Sequence, residues 1–588
     1  MCGLAGVMTR DGAAPDPAML DRLLAALAHR GPDGQGRLVR GGVALLHARL
    51  AIVDLATGDQ PLFAGTEPGT GTALVCNGEI YNNPALRAAM PATRFRTRSD
   101  CEPALWRYME DGARFADALR GMYAIAIHDP DQGRLVLARD PFGIKQLYYI
   151  ADDRGFFFAS EPQALIAAGL AAPGIDARAR AELLQLKFTT GAATIFPGIT
   201  RLLPGETLVV ERGAIVARHH RAALPEGPPR PLGNDGVAAL DRVLLDSVTA
   251  HLQSDVPYGL FLSGGIDSAA VLALMHRATG QRIHALTCGW DGVGVDETGE
   301  AARLAAAQGA VCERVAMGEA DFWALAPRIA AAIDDPTADA AVLPTWMLGR
   351  AARAAGLKVT LCGEGADELF GGYARYRKQR SPWRWFTRPP RSRAVLGEVP
   401  ALAGWRDGIA GLDHRLGAGR SAVQAAQAVD IAEWLPNDLL VKLDRCLMAH
   451  GVEGRTPFLD PAVAGFAFTL PDAAKVDLRF GKKLLRRWLA GAFPQAGAFA
   501  RKKGFKPPVG AWIAARAESL APLLAAQPGI AAVLGRAEVA ARLARAEAAP
   551  QPAWSLLFYG LWHCRHAMGL DPSGDVHGVL RAAQQSSR

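Results

Sequence analysis

The fold of the second half of the chain is decided by residues 257–277, which read PYGLFLSGGIDSAAVLALMHR. The apolar run Pro257–Leu262 predicts a buried strand, and Ala269–Arg277 has the composition of a helix. The intervening SGGIDS, Ser263–Ser268, therefore predicts a turn that leads from the strand into the helix N-terminus. Backbone N–H groups at such a turn, together with the positive end of the helix dipole, bind phosphate.

The side chains of this turn suit the same ligand. Ser263 and Ser268 can add hydroxyl donors, and Asp267 can hold Mg²⁺ against an anion. The chain has no GxxxxGKS or GxxxxGKT sequence, so a loop that transfers a γ-phosphate is not indicated. A Ser-Gly-Gly turn alone would be weak support, because these residues are common at helix caps.

A second Gly-rich segment follows another predicted strand. The strand Lys358–Leu361 runs into CGEGADELFGGY, residues 362–373, in which glycines flank Glu364. Asp367 and Glu368 follow closely, and taken alone the segment is equally consistent with a solvated acidic turn. The preceding helix Gly236–Leu252 and the strand Ile283–Cys288 continue an alternation that favours a parallel sheet covered by helices.

The first 220 residues follow a different pattern. Short apolar runs broken by Gly, Asp and Pro predict antiparallel sheets, with helices at Pro17–His29 and Glu102–Met109. A Pro/Gly-rich stretch, Leu224–Gly233, predicts a linker, and helical patterns dominate from about Arg420. The expected division is a first domain over 1–220, a linker over 221–235, a second domain over 236–520, and a helical C-terminal extension with a frayed tail over 521–588.

Chemistry in the first domain begins at Cys2. Removal of the initiator methionine would give Cys2 a free α-amine, and a thiol with a neighbouring amine forms a nucleophile and its base. Gly3 leaves room for a substrate to approach the backbone. A Met-Cys start is by itself most often incidental, so Cys2 needs support from elsewhere in the chain.

That support comes from four further segments: HRGPD at 29–33, HARL at 47–50, NGEIYN at 77–82 and Ser99-Asp100. Each has an ordinary structural explanation alone, such as a hairpin turn for Asn-Gly. In this order after Cys2, they resemble the class II (N-terminal nucleophile) glutamine amidotransferases. The resemblance implies an antiparallel αββα Ntn-hydrolase sandwich in which Cys2 attacks the side-chain amide of glutamine.

The same resemblance implies roles for the residues around the thiol. The Asn77 side-chain amide and the Gly78 backbone N–H would form the oxyanion hole, where negative charge develops on the carbonyl oxygen. Arg49 would hold the α-carboxylate of glutamine as a two-pronged donor. Glu79 and Asp100 would receive its α-ammonium group.

In the second half, SGGIDS and CGEGADE resemble the pyrophosphate loop and the SGEGSDE segment of the glutamine-hydrolysing asparagine synthetase family. The likeness continues through GRTPFLD at 454–460 and GKKLLR at 481–486. It implies a parallel-sheet α/β ATP-pyrophosphatase domain with a helical C-terminal part, so the whole chain combines α+β and α/β architecture. Cys362 and Ala366 stand where serines are common in the family.

Site roles in the second domain follow from this resemblance. Contacts to ATP and pyrophosphate are implied for Leu262, Ser263, Gly264, Gly265, Asp267, Ser268, Cys288, Cys362 and Gly363. Asp267 and Asp367 would bind Mg²⁺, and Glu364 would help to form an acyl-adenylate or take a proton from attacking ammonia. Lys482 would stabilise negative charge during adenylation, whereas Lys483 is read as a surface residue.

The implied reaction joins ammonia from glutamine to an ATP-activated carboxylate, with aspartate as the expected acceptor. The acceptor is left open, because Asp334–Ala341 has no arginine and some family members carry one there, near the carboxylate substrate. A peptide, a sugar acid or a secondary metabolite is the alternative acceptor. A non-catalytic protein that keeps the fold and a β-lactam-forming synthetase are rival readings, but the intact site residues, Cys2 above all, oppose both.

Bulk composition sets the remaining expectations. The chain has 588 residues, a formal charge of +7 and eight scattered cysteines without CxxC spacing, so neither a disulfide framework nor a zinc site is predicted. The charge forms no basic stripe, which gives no indication of nucleic-acid binding. No apolar run is long enough to span a membrane, and a cytoplasmic location is expected. Dimerisation is an expectation of the family resemblance.

Overall fold

The computed structural model describes residues 2–67, 69–290, 297–380, 391, 393–500 and 507–586. The strands are β1 (Gly3–Thr9), β2 (Gly34–Arg40), β3 (Val43–Arg49), β4 (Leu62–Phe63), β5 (Ala73–Ile80), β6 (Gly121–Asp129), β7 (Arg134–Arg139), β8 (Tyr148–Ala151), β9 (Gly155–Ala159), β10 (Thr200–Arg201), β11 (Glu206–Glu211), β12 (Ala214–His220), β13 (Tyr258–Phe261), β14 (His284–Trp290), β15 (Val311–Met317), β16 (Val359–Leu361) and β17 (Glu453–Arg455).

The helices up to the middle of the second half are α1 (Pro17–Ala26), α2 (Asn83–Ala89), α3 (Glu102–Asp111), α4 (Pro162–Ala167), α5 (Ala177–Leu186), α6 (Gly236–His251), α7 (Ile266–Thr279), α8 (Thr298–Ala307), α9 (Glu319–Ala332), α10 (Val342–Ala354), α11 (Ala366–Phe370) and α12 (Ala374–Gln379). The later ones are α13 (Leu412–Gly417), α14 (Ala422–Val429), α15 (Leu440–Met448), α16 (Pro461–Thr469), α17 (Asp472–Lys475), α18 (Lys483–Ala492), α19 (Val509–Ala515), α20 (Ala517–Ala525), α21 (Pro528–Ala531), α22 (Arg536–Ala544), α23 (Pro550–His566) and α24 (Val576–Ser586).

The first half is a sandwich of two antiparallel six-stranded sheets. Their strand orders are β10-β8-β9-β1-β3-β2 and β12-β11-β7-β6-β5-β4. Alternating residues such as Leu4, Leu45, Val75 and Phe158 meet in one buried cluster between the sheets. Helices α1 and α4 pack on the first sheet and α3 on the second. The predicted αββα sandwich is therefore confirmed.

The second half is built on a parallel sheet of order β15-β14-β13-β16-β17. Strand β13 pairs in parallel with β14 on one side and β16 on the other, so the loops after β13 and β16 emerge at the same edge. Helix α6 packs against α7, and α10 packs against β14. This arrangement confirms the predicted parallel sheet with covering helices, and it brings the two Gly-rich loops together because the carboxyl ends of neighbouring parallel strands meet.

The last helices pack onto the second half. Helices α23 and α24 both pack against α9, and α19 packs against α23. The indole N–H of Trp562 donates to the Ile333 carbonyl oxygen at 2.9 Å, and Trp554 on the same helix is also buried. Helix α24 continues to Ser586, and residues 587 and 588 lie outside the described residues. Within the described ranges, no helix has the length and apolarity needed to cross a membrane.

Candidate active sites

The first site surrounds Cys2, which enters β1 between β9 and β3. The backbone N–H of Cys2 donates to Oδ1 of Asn77 at 2.9 Å, and its Sγ lies 3.9 Å from the Leu50 carbonyl oxygen. Asn77 belongs to β5 of the opposite sheet, so the two sheets meet at the thiol. Burial raises the pKa of the Cys2 thiol, and the positive charges of the α-amino terminus and Arg49 oppose that rise.

The side-chain amide nitrogen of Asn77 is an unused hydrogen-bond donor beside this thiol among the residues described. Its Oδ1 is used by Cys2, while its Nδ2 is buried and has no hydrogen-bond partner among the residues described. Leaving a buried amide N–H unpaired costs about 1–3 kcal/mol, so such a group is suited to a ligand oxygen. At the next position a Cβ on Gly78 would lie 2.1 Å from the Met122 carbonyl oxygen, which restricts this position to glycine.

The charged residues predicted to bind glutamine lie in the same region. Arg49, at the end of β3, donates to Oδ1 of Asp59 at 2.7 Å and to the Asp54 carbonyl oxygen at 2.5 Å. Oδ2 of Asp100 accepts the backbone N–H of Ile80 at 2.6 Å. Burial raises the pKa of Asp100 to about 6.

Glu79 links this site to the second half of the chain. Its Oε1 lies 3.1 Å from Nη2 of Arg455 on β17, and both side chains are buried. Burial raises the pKa of Glu79 although the Arg455 guanidinium opposes that rise. Arg455 also pairs with Glu453 at 2.7 Å, and its Nη1 donates to the Gln253 carbonyl oxygen at 2.6 Å. One end of the parallel sheet therefore forms a wall of the Cys2 site.

Arg30 makes a second buried link between the halves. Its Nε donates to the Cys2 carbonyl oxygen at 3.1 Å. Its Nη1 and Nη2 donate to the two carboxylate oxygens of Asp444 on α15, at 2.9 and 3.1 Å, and Nη1 also reaches Glu161 at 2.7 Å. Only 1% of the Arg30 surface is exposed. One guanidinium thus fixes the backbone of Cys2 and a helix of the second half at once.

The second site begins at the loop after β13. Ser263 Oγ lies 3.1 Å from Ser268 Oγ and accepts the backbone N–H of Gly265 at the same distance. Gly265 has extended backbone angles at the N-terminus of α7, which is 14 residues long. A Cβ on Gly264 would approach the Glu300 side chain to 3.0 Å. The predicted phosphate loop is therefore closed by its own serines at a helix N-terminus, and Asp267 and Ser268 lie in the first turn of that helix.

Lys482 crosses from the start of α18 to this loop. Its Nζ lies 2.6 Å from Oδ2 of Asp267 and 2.6 Å from Oδ1 of Asp367. Burial lowers the pKa of the Lys482 ammonium, but the two carboxylates raise it above its ordinary value. A Cβ on Gly372 would lie 1.7 Å from Asp367 Oδ1, so glycine is needed beside this cluster. The neighbouring Lys483 pairs instead with Asp477, at 3.1 Å.

A cavity of about 450 Å³ opens next to the loop. Predicted site residues on its wall are Leu262, Ser263, Gly265, Asp267, Ser268, Cys288, Cys362, Gly363, Glu364 and Asp367. Thr345, Glu368, Tyr373 and Lys442 also line it, and the sequence did not single them out as site residues. The Tyr373 hydroxyl donates to Oε1 of Glu368 at 2.7 Å, and burial raises the pKa of Glu368 to about 7.

Comparison with known proteins places the chain in a family. The profile described as "Asparagine synthase" matches residues 239–564, more than half of the chain. This chain belongs to the asparagine synthase family. A second profile, described as "Glutamine amidotransferase domain", matches residues 1–221. The family match therefore covers the phosphate loop and Lys482, and the amidotransferase match covers Cys2 and Asn77.

Curated relatives of this family member match along most of their length. One relative is a Mycobacterium tuberculosis protein that is 33% identical over 88% of this chain and 89% of the relative's length. Its name, glutamine-hydrolysing asparagine synthetase, is itself an inferred one. The glutamine-hydrolysing asparagine synthetase 1 of Bacillus subtilis is 29% identical over 87% of this chain and 88% of the relative's length. Asparagine synthetase B of Escherichia coli, named likewise, is 28% identical over 83% and 78%.

The residues that link the two sites were not recognised as functional from the sequence of this family member. Arg30 and Arg455 fall inside the quoted segments HRGPD and GRTPFLD, but a motif does not identify a partner that lies hundreds of residues away. Arg30 and Asp444 are separated by 414 positions, and Arg455 and Glu79 come from opposite halves. The available signal was the presence of arginine within otherwise apolar or Gly/Pro-rich segments.

Proposed function

We propose that this protein is a glutamine-dependent asparagine synthetase, which converts aspartate, glutamine, ATP and water to asparagine, glutamate, AMP and pyrophosphate. The observation that supports the proposal is that both predicted sets of site residues come together in one chain and are joined by buried ion pairs. The first holds Cys2 against Asn77 at 2.9 Å, and the second holds Lys482 between two carboxylates at the phosphate loop.

In the first site, Cys2 attacks the side-chain carbonyl carbon of glutamine. Once Met1 is removed, the α-amine of Cys2 accepts the thiol proton, which counters the rise in thiol pKa caused by burial. The unpaired Nδ2 of Asn77 and the Gly78 N–H stabilise the oxyanion. Ammonia leaves with that proton, and water hydrolyses the thioester to glutamate. Arg49, Glu79 and Asp100 bind the charged end of glutamine.

In the second site, a carboxylate oxygen of the acceptor attacks the α-phosphorus of ATP and pyrophosphate leaves. The loop residues Ser263, Gly264, Gly265 and Ser268 contact the phosphates. The nucleotide is bounded by Leu262, Cys288, Cys362 and Gly363. Lys482 neutralises charge as the pyrophosphate separates. Ammonia then attacks the acyl carbon, AMP leaves, and Glu364 takes the extra proton of the attacking nitrogen.

Magnesium fits the carboxylates at this loop. Asp267 and Asp367 direct oxygens at one point, where Lys482 now lies 2.6 Å from each. In proteins, Mg²⁺ is usually held by one or two carboxylates together with the phosphates of the substrate. Bound there, Mg²⁺ would neutralise the charge of the triphosphate.

The same proposal includes the domain division expected from the sequence: 1–220 for glutamine hydrolysis, a linker over 221–235, 236–520 for adenylation and 521–588 as a helical extension. Leu224–Gly233 contains neither helix nor strand, which supports a linker. Ammonia passes between the sites inside the protein, because free ammonia would be protonated in water. Arg30 and Arg455 join the first site to the second half, so the passage is expected to cross the interface that they form.

The test is an assay with purified protein, ATP, Mg²⁺, glutamine and aspartate that follows asparagine, glutamate and pyrophosphate. The parent is expected to form asparagine with either glutamine or ammonium. Cys2→Ala is expected to lose the reaction with glutamine and keep the one with ammonium. Glutamate release without asparagine would refute aspartate as the acceptor, and a screen of other carboxylates would then follow.

A further inference from the structure

Lys442 is a buried cation on the wall of the synthetase cavity. It lies on α15, and 5% of its surface is exposed. Its ammonium group makes neither a hydrogen bond nor an ion pair with any residue that the structure describes. Of the three other buried lysines, Lys482 contacts two aspartates, and Lys475 donates to Gln427 at 3.1 Å and to the Phe468 carbonyl oxygen at 2.6 Å. The third, Lys145, does not line this cavity.

The surroundings keep Lys442 charged. Burial alone would lower its pKa, but the carboxylates of Asp339, Glu364 and Asp438 raise it above the ordinary lysine value. Asp438 accepts hydrogen bonds from Thr337 and Trp434, so that carboxylate is already occupied by other donors. The ammonium group therefore retains donors for an anion that enters the cavity, and a buried charge without such a partner is costly.

The position of Lys442 separates it from the phosphate chemistry. Lys482 supplies the positive charge at the phosphate loop, through Asp267 and Asp367. Lys442 comes from a different element, α15, and the charge of Glu364, which lines the same cavity, helps to raise the pKa of Lys442. An acceptor with two carboxylates must place one carboxylate at the phosphate loop, where it is adenylated. The second carboxylate then needs a cation other than Lys482. The segment 334–341, next to α10, contains no basic residue that could do this.

We propose that Lys442 binds the second, non-reacting carboxylate of the acceptor and so selects amino dicarboxylates. For aspartate this is the α-carboxylate, since the side-chain carboxylate is the one amidated. The inference rests on the proposed function, because it concerns the acceptor of that same reaction. Lys442 touches the substrate without taking part in bond making, and its loss should weaken acceptor binding rather than glutamine hydrolysis or ATP binding.

The experiment compares aspartate with β-alanine, which lacks only the α-carboxylate, in acceptor-dependent exchange of pyrophosphate into ATP. This exchange reports adenylation without ammonia. For Lys442→Gln we expect the aspartate KM to rise roughly 10- to 100-fold, as for a lost hydrogen bond to a charged group. The ATP KM should stay the same, and the preference for aspartate over β-alanine should fall by the same factor. Lys442→Arg should keep most of that preference.

Lys475→Gln is the matched control, since it removes an equally buried lysine outside the cavity and should leave the preference unchanged. Glutamine hydrolysis at the first site verifies folding, and Lys442→Met provides the same measurement if the Gln variant does not fold. If Lys442→Gln prefers aspartate over β-alanine as strongly as the parent does, the inference is overturned, and water rather than a substrate carboxylate is the partner of Lys442. A parent that shows no aspartate-dependent exchange would refute the proposed function instead.

Discussion

Replacement of Arg30 by methionine tests whether the two sites depend on the buried interface. Arg30 donates to both Asp444 oxygens and to Glu161, and its Nε holds the Cys2 carbonyl oxygen at 3.1 Å. Methionine fills similar volume but removes all of these bonds. Asp444 would keep Arg445, at 2.7 Å, as a charged partner.

The expected magnitudes follow from these contacts. Breaking a buried ion pair by removing one partner costs about 3–5 kcal/mol of stability. Loss of the charged hydrogen bond to Cys2 costs about 1.5–3 kcal/mol, which corresponds to a roughly 10- to 150-fold lower kcat/KM for glutamine if the bond positions the thiol. Because Asp444 lies on a helix of the second half, fewer amides should form per glutamate released.

The assay measures glutamate and amide from the same reaction, beside thermal unfolding of each variant. Arg37→Met is the control, since Arg37 pairs with Asp21 on the surface and such pairs contribute about 0–1 kcal/mol. Arg30→Met is also assayed with ammonium, where the effect should be smaller. A variant with parental stability, parental glutaminase activity and a parental ratio of amide to glutamate would refute the reasoning.

Three further predictions concern single groups. Asn77→Ala should lower kcat for glutamine hydrolysis by about 100- to 1,000-fold, as for loss of one oxyanion donor, with ammonium-dependent synthesis retained; equal loss of both activities would contradict this. Lys482→Met should abolish acceptor-dependent exchange of pyrophosphate into ATP, whereas Lys483→Met should not, and an equal effect of the two would contradict the assignment. Asp100 has a pKa raised by burial to about 6, so the folded state favours its neutral form and stability is lost as pH rises from about 4 to 6. Asp100→Asn should therefore raise the free energy of unfolding at pH 7 by on the order of 3 kcal/mol, but not at pH 4. The same variant should lower the affinity for glutamine. An unfolding midpoint that rises equally at both pH values would refute the titration of Asp100.

Local sequence was sufficient where the physics is local. The strand, glycine turn and helix around Ser263–Ser268 follow from apolar runs and backbone freedom within about 20 residues, and the structure places them accordingly. The helix begins at Ile266, earlier than the predicted Ala269, because Gly265 serves as its N-terminal flanking residue. Cys2 and Asn77 were paired only through a resemblance, and the structure joins them by a hydrogen bond.

The choice between Lys482 and Lys483 shows what the sequence left undecided. Both lysines follow Gly481, and spacing alone favoured Lys482. Backbone geometry separates them: Lys482 has a positive φ of 55°, and its ammonium reaches two aspartates from distant loops. Lys483 enters α18 and pairs with Asp477.

The sequence by itself determined the two architectures and the family, because strand and helix periodicities and glycine turns are encoded over short stretches. It also predicted which residues bear chemistry. Tertiary structure alone decided which charges meet: Arg30 meets Asp444, and Arg455 meets Glu79. It also placed Lys442 on the cavity wall, where no residue in the described ranges pairs with it. The physical reason is that a buried ion pair depends on distance and desolvation in the folded chain. Neither quantity is related to separation along the sequence.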